Sequence, residues 1–320
     1  MQRNPNIDIL KGIGILAVII AHLTQIWLLR GLLYSFHMPL FFLASGYFFH
    51  YTSLPQLLRR ISRQLLLPYL IFCTLQTIFI LITGHLDMGS ETMGTNLLQC
   101  LKMIIFADGY FNKTLIWGNI PPVAILWFLP AMFWCRIIYN IISRLQYSPL
   151  WATLISMISV YLGGHIINLP FGIFEGGQAV IFYMIGHQYA QHQKSTRRIS
   201  TVVLTTFWLL AFLFSYMSMA DFSYGFWPLN VIGAAGGTWV VYNFAQWLNN
   251  HFNRISNELN WLGRNSLYIF GIHAILMILQ GHIFTVNKHT WLLAVIVQLT
   301  IAILLTLLYN KTKKALHKYK

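Results

Sequence analysis

Apolar residues fill this chain in runs of about twenty, separated by short stretches that carry the prolines, glycines and most charges. That length is what an α-helix needs to cross about 30 Å of hydrocarbon, whereas barrel strands come as alternating units of about ten residues. The pattern predicts ten helices, near 9–29, 36–51, 65–83, 121–142, 149–167, 173–190, 199–217, 228–247, 264–283 and 290–309. The expected fold is an all-α polytopic membrane protein, with about ten transmembrane helices around a polar cavity. Residues 1–320 read as a single integral-membrane domain with an external segment at about 84–120 and a basic tail at 310–320. Within the external segment the run LLQCLKMIIF is too short to span and reads as interfacial or re-entrant. Pro130 is free to kink the fourth span. No internal repeat or inverted half is evident, which weakens a secondary-transporter reading.

Composition agrees with the pattern. Hydrophobic residues make up 57% of the chain and charged residues 9%, far from the quarter or so that is charged in soluble domains. The first run is not a cleavable signal, because it is long, contains Lys11 and His22, and ends in Trp-Leu-Leu-Arg without a small-residue cleavage site.

A net charge of +14 raises the question of nucleic acid, and the placement of the charge answers it. With a cytoplasmic N-terminus, all of the 21 basic residues fall on the cytoplasmic side except Arg30, Lys102, Lys113 and Lys288. Arg59, Arg144, Lys194, Arg197, Arg198, Arg254 and the tail lysines Lys311, Lys313, Lys314, Lys318 and Lys320 belong to that side, as does the C-terminus. The positive-inside rule accounts for the asymmetry, and no nucleic-acid partner is implied. Outside the membrane lie Asp87, Glu91 and Asp108. Cys73, Cys100 and Cys135 have neither CxxC spacing nor a paired pattern, so no metal site or disulfide is inferred. Asn112-Lys-Thr is a weak glycosylation sequon without meaning in a bacterium.

The chemistry sits inside the apolar runs. Eleven residues separate Lys11 from His22, which returns the chain to nearly the same helical face about 16 Å further along. One stripe therefore joins a cation near one membrane surface to an imidazole within the bilayer. Such groups cost about 2.5–3.5 kcal/mol when central and charged, and they usually line a cavity or pathway. Asp8 stands one turn from Lys11 and can pair with it. His37 opens the second run, Ser45-Gly46 permits close helix approach, and Trp127 sits at or below the interface of the fourth. Arg60 and Arg63, one turn apart on a short helix at the cytoplasmic surface, suit either lipid phosphate or a nucleotide-like ligand. Glu175 at the outer edge of a span is, by default, solvated. Arg264 and Asn265 begin the ninth run, and His273 lies about two turns deeper. A histidine with an ordinary pKa near 6.5 can act as general base for group transfer to a hydroxyl. A proton relay or a flippase for a glycan or lipid intermediate would use the same residues.

Ordered motifs separate these readings. The opening NIDILKGIGILAVIIAHL resembles the signature of the membrane acyltransferase-3 family, and FHMPLFFLASGYFF resembles its second block. Arg60-Ile-Ser-Arg63 is similar to the family's cytoplasmic arginine pair, ILWFLPAMF to its Trp-Phe-Leu block, and LGRNSLYIFGIH to its late Gly-x-x-Ser…His segment. The compact size resembles the fucose 4-O-acetylase-like branch. Position 11 holds Lys where Arg is commoner, which keeps the charge and gives up bidentate recognition. The resemblance implies a multi-pass O-acetyltransferase of the bacterial cytoplasmic (inner) membrane. Acetyl-CoA is then donor substrate rather than bound cofactor, and a surface glycan or lipid-linked sugar is acceptor. Arg60, Arg63 and Lys11 would hold the CoA phosphates. His22 would be general base or transient acyl carrier, supported by Asp8 and Lys11. His37 and Glu175 would face the acceptor, with Ser45, Trp127, Asn265 and His273 in the cavity. Membrane lipids are the surrounding partners, and a homo-oligomer is compatible with the sequence.

Overall fold

The computed structural model describes residues 4–83, 85–87, 92–94, 97–114, 118–165, 169–192, 201–283 and 286–318. Glu91, Lys194, Arg197, Arg198 and Lys320 lie outside the described residues, as do the side chains of Asp87, Asn112, Lys113 and Lys318. The chain is an all-α polytopic membrane protein. Among the described residues the β-structure consists of three two-stranded antiparallel hairpins.

The helices are α1 (Pro5–Leu23), α2 (Trp27–Tyr34), α3 (His37–Tyr47), α4 (Leu54–Ile61), α5 (Leu67–Thr83), α6 (Leu97–Phe106), α7 (Phe128–Ile142), α8 (Ser148–His165), α9 (Ile173–Gln191), α10 (Thr201–Phe214), α11 (Trp227–His251), α12 (Asn253–Arg264), α13 (Ser266–Ile283) and α14 (Trp291–Lys318). Among the described residues, five stretches are long and apolar enough to cross a membrane, or six if the bent α12–α13 pair is one span. Of the other predicted runs, α8 and α10 are shorter, and α9 and α11 carry buried polar residues such as Gln178 and Asn230. Leu97–Phe106 is a ten-residue helix, the length its sequence suggested. The outward faces are those of a protein solvated by lipid. Only 28% of the spanning window of α14 is buried, and Leu292, Leu293, Ile296, Leu304 and Leu308 stand exposed along it. In water such a face would be an aggregation site; against acyl chains it is solvated.

α1 runs through the centre, packed on α3, α11 and α12. Asn4 caps it by accepting the Asn6 N–H, and Pro5 occupies the first turn, where a missing N–H costs nothing. The expected continuation to residue 29 does not occur. The helix stops at Leu23, Thr24 turns extended, its hydroxyl accepts the Ile26 N–H, and Arg30 Nη2 donates to the Thr24 carbonyl at 2.6 Å. A threonine competing for backbone donors and an arginine capping the freed carbonyl fix the break. His22 is thereby set in the last turn of α1, and α2 turns back over it.

Three further departures shape the interior. The arginine-bearing α4 is not a separate surface helix: it continues through a π-helical turn, Ser62–Leu66, into α5, so that Leu54–Ile82 forms one span. Pro130 does not kink its helix, because α7 begins only at Phe128 after a 3₁₀ turn at Ala124–Trp127, leaving Pro130 in the first turn. An amphipathic helix precedes the ninth run, and α12 meets α13 at a bend of 70°.

Candidate active site

Three imidazoles from three helices converge at the end of α1. His22 lies 6.2 Å from His37 on α3 and 6.1 Å from His273 on α13, ring centre to ring centre. Tyr34 on α2 closes the group, 5.6 Å from His22 and 4.9 Å from His37, with its hydroxyl 3.2 Å from His22 Nδ1. His37 and His273 are fully enclosed, at 1% and 0% exposure, while His22 is half-buried. The break after Leu23 brings Tyr34 and His37 back onto His22, which a straight helix to residue 29 would have kept apart.

Hydrogen bonding fixes two of the three tautomers. His37 Nδ1 is 2.7 Å from the Leu33 carbonyl, which can only accept, so Nδ1 carries the hydrogen and Nε2 keeps its lone pair in the neutral ring. His273 Nδ1 donates to Gln298 Oε1 at 2.6 Å, and its Nε2 is buried with no hydrogen-bond partner. An unpartnered buried acceptor costs about 1–3 kcal/mol, and this one is open to a hydrogen-bond donor.

A cavity of about 190 Å³ lies beside this cluster, lined by α1, α3, α7 and α13 residues next to the histidines rather than by the histidines themselves. Its lining runs from Ser45, Arg136 and Ser266 at one end to Met38, Leu129 and Phe270 at the other, with Ile15 and Phe128 between. Ser45 and Met38 are two helical turns apart, so the passage is about 10 Å long. Met38 adjoins His37, Phe270 precedes His273 by one turn, and Ile15 precedes His22 by two turns on the same face of α1. Lys11 is one turn before Ile15. Of the stripe seen in the sequence, Ile15 lines the cavity, with Lys11 before it and His22 beyond it on the same helical face.

The remaining predicted residues take varied places. Lys11 Nζ is paired with the buried Asp8 at 2.7 Å, and Arg264 Nε is 3.7 Å from the same carboxylate. Arg60 lines a small recess beside the passage, together with His50 and Arg136, whereas Arg63, in the π-helical turn, is exposed. Trp127 is buried behind Phe128, 6.4 Å away, and Phe128 in turn contacts Phe41, Phe42 and Phe270 along the passage. Asn265 sits at the α12–α13 bend, where its Nδ2 donates to the Trp261 carbonyl at 2.8 Å and its Oδ1 accepts from Asn310 at 2.9 Å. Its neighbour Ser266, not Asn265, faces the passage.

Glu175 is not a solvated interfacial carboxylate. It is 1% exposed and hydrogen-bonds with Asp108, itself 3% exposed. The turn after α6 brings Asp108 to Glu175 at the start of α9, and both carboxyls are buried there. Among the described residues, no group of three or more His, Cys, Asp or Glu side chains is placed to hold a metal ion. Tyr34, Gln298 and Arg136 were missed in the sequence. The first two have no signal in one chain, but a basic residue six positions inside the end of an apolar helix does.

Comparison with known proteins fits this arrangement. Residues 4–311 match the acyltransferase-3 family, described as an acyltransferase domain. The nodulation protein NolL of Mesorhizobium japonicum is 28% identical over 175 residues, which are 50% of this chain and 41% of that protein. The chain therefore spans less than half the length of that relative. No solved structure matches. With nearly its whole length inside the family's boundaries, the chain belongs to the acyltransferase-3 family.

Proposed function

We propose that this acyltransferase moves an acetyl group from cytoplasmic acetyl-CoA to a hydroxyl of a surface glycan or its lipid-linked precursor, with His22 as general base. The observation that carries the proposal is the order of groups along the bundle: Arg136 at one end of an apolar cavity, Arg60 in the recess beside it, and the three imidazoles next to the residues of its other end. The phosphates of CoA cannot enter hydrocarbon and stay at the basic end, near Arg60. The slender pantetheine arm fits the narrow bore and presents its thioester at His22. The acceptor hydroxyl arrives from the opposite side, past Tyr34 and Arg30.

In the step proposed, His22 Nδ1–H donates to the Tyr34 oxygen, which leaves the Nε2 lone pair free. Nε2 takes the proton of the acceptor hydroxyl as its oxygen attacks the thioester carbonyl. The tetrahedral intermediate collapses with cleavage of the carbon–sulfur bond, and the departing thiolate recovers the proton from the imidazolium. The Nε2 lone pairs of His37 and His273 accept from other hydroxyls of the incoming sugar and so orient it. Asp8 holds Lys11 at the start of the passage, where its charge adds to the attraction for the donor. The protein operates in the bacterial cytoplasmic membrane, with both termini on the cytoplasmic side.

His22→Ala tests the reading with radiolabelled acetyl-CoA and membranes containing equal amounts of inserted protein. Removing a general base is expected to lower transfer by about 10²–10⁴-fold. Label transfer at the wild-type rate would remove His22 from the mechanism.

A further inference from the structure

Arg136 stands on α7 six residues before the helix ends at Ile142, about 9 Å inside it. Its guanidinium lines two cavities at once: the passage toward the histidines, and the recess formed with Phe48, His50, Arg60 and Tyr183. Among the described residues, neither Arg136 nor Arg60 has a carboxylate within 4.0 Å, unlike Lys11 and Arg264, which share Asp8. The partners they do have are neutral. Arg136 Nη1 donates to Gln64 Oε1 at 3.3 Å and its guanidinium hydrogen-bonds with Tyr183, while Arg60 Nη1 approaches His50 Nε2 at 3.4 Å. In both residues Nε is buried with no hydrogen-bond partner.

Two guanidiniums facing one recess repel each other, and a charge partly withdrawn from water is retained only where something compensates it. Among the described residues no acid meets either guanidinium, which leaves the pair open to an anionic ligand. The recess holds about 10 Å³ of free space, room for one water-sized group, which suits a phosphate oxygen rather than a whole nucleotide. Planar guanidinium forks match such oxygens in pairs.

We infer that Arg136 and Arg60 form a phosphate site at the inner lip of the passage, and that it takes one oxygen of the acyl donor's diphosphate, the rest of that group lying outside the recess. This rests on the donor reading above. It places the donor's phosphates against Arg136, deeper than the exposed Arg63 would put them, and makes Arg136 the residue at which phosphate recognition hands over to the bore.

The test compares affinities of the purified protein for acetyl-CoA and for S-acetylpantetheine, which has the same thioester arm without the nucleotide phosphates. The wild type is expected to prefer acetyl-CoA, and Arg136→Gln to reduce that preference about tenfold or more, the worth of a hydrogen bond to a charged group. Arg136→Lys is expected to fall between, because it keeps the charge and loses the fork. S-acetylpantetheine binding serves as the folding control for each variant. A preference that is unchanged in both variants, or equal loss of both ligands, overturns the assignment while leaving the donor reading intact. So does a variant that sheds co-purified phospholipid with its preference unchanged, since the recess would then belong to a lipid headgroup. A wild type that binds no acetyl-CoA overturns both readings.

Discussion

At the scale of single residues, the site depends on what each imidazole nitrogen does. The Tyr34 hydroxyl is the one side-chain group within hydrogen-bonding distance of His22 Nδ1 among the described contacts, at 3.2 Å. Tyr34→Phe removes that oxygen and keeps the ring packed on His37. The proposed mechanism then predicts a fall in kcat of about fivefold, equivalent to about 1 kcal/mol, with KM for acetyl-CoA little changed. Steady-state kinetics on the variant checks this, and a change confined to KM would mean that Tyr34 shapes the passage instead of orienting the base. Gln298 makes a parallel case: Gln298→Leu leaves His273 Nδ1–H buried without an acceptor, a loss of about 1–3 kcal/mol that thermal unfolding in detergent would register as a lower Tm. The sequence disclosed part of this. His22, His37 and His273 were legible because ionisable groups inside apolar runs are costly enough to demand a reason. Their mutual distances were not, since those depend on a helix break and on two helices far apart in sequence. Arg136 was legible in principle, but counting it with the positive-inside charges hid its depth.

At the scale of elements, the close approach of α3 and α9 positions α3, which carries His37, Met38 and Ser45. A Cβ added at Gly46 would strike the Tyr183 carbonyl, and one added at Gly186 would strike the Leu43 carbonyl, so each glycine lets the other helix's backbone in. Ser45 beside that crossing lines the passage. Gly46→Ala and Gly186→Ala are therefore each expected to cost about 1–3 kcal/mol through forced separation of the backbones. The measurable result is a reduced fraction of monodisperse protein after detergent extraction and a lower Tm; unchanged values for both would show the crossing to be soft. The small pair at Ser45-Gly46 announced this contact in the sequence. The apolar runs likewise located most helices, because hydropathy and length are local properties. What they missed is angular. The turn at Thr24–Ile26, the π-helical turn through Arg63 and the 70° bend at Asn265 change direction without changing mean hydropathy. The helix Asn253–Arg264 escaped for the converse reason: its charged and amide residues make it polar on average, although its inner face packs on α1.

At the scale of the whole molecule, charge and geometry give the proposed reaction a direction. Asp8, Lys11 and Arg264 gather where α1 begins, and Arg60 and Arg136 open the passage from Tyr183 and Ser45 at the same end. Arg30, tied to Thr24, lies beyond the histidines at the other. If the proposed orientation holds, donor and acceptor approach the same imidazole from opposite faces, and the acetyl group crosses much of the bilayer on the pantetheine arm rather than by diffusion. Sealed vesicles of defined orientation test this directly, because acetyl-CoA carries several charges and does not cross the bilayer unaided. Inside-out vesicles, which expose the basic end, are expected to transfer label from external acetyl-CoA to acceptor held in the lumen. Right-side-out vesicles are expected to do so only after permeabilisation. Equal rates in intact vesicles of both kinds would mean that the donor reaches His22 from the acceptor side, and the passage from Arg136 to the histidines would lose its role as the donor's route. A bulky side chain placed in the bore gives the internal control. Ser45→Trp should stop transfer in inside-out vesicles while leaving the His22–Tyr34–His37 cluster intact, since Ser45 stands about 10 Å from Met38 along α3. Together the two measurements separate the side from which the donor enters from the channel through which it reaches the base.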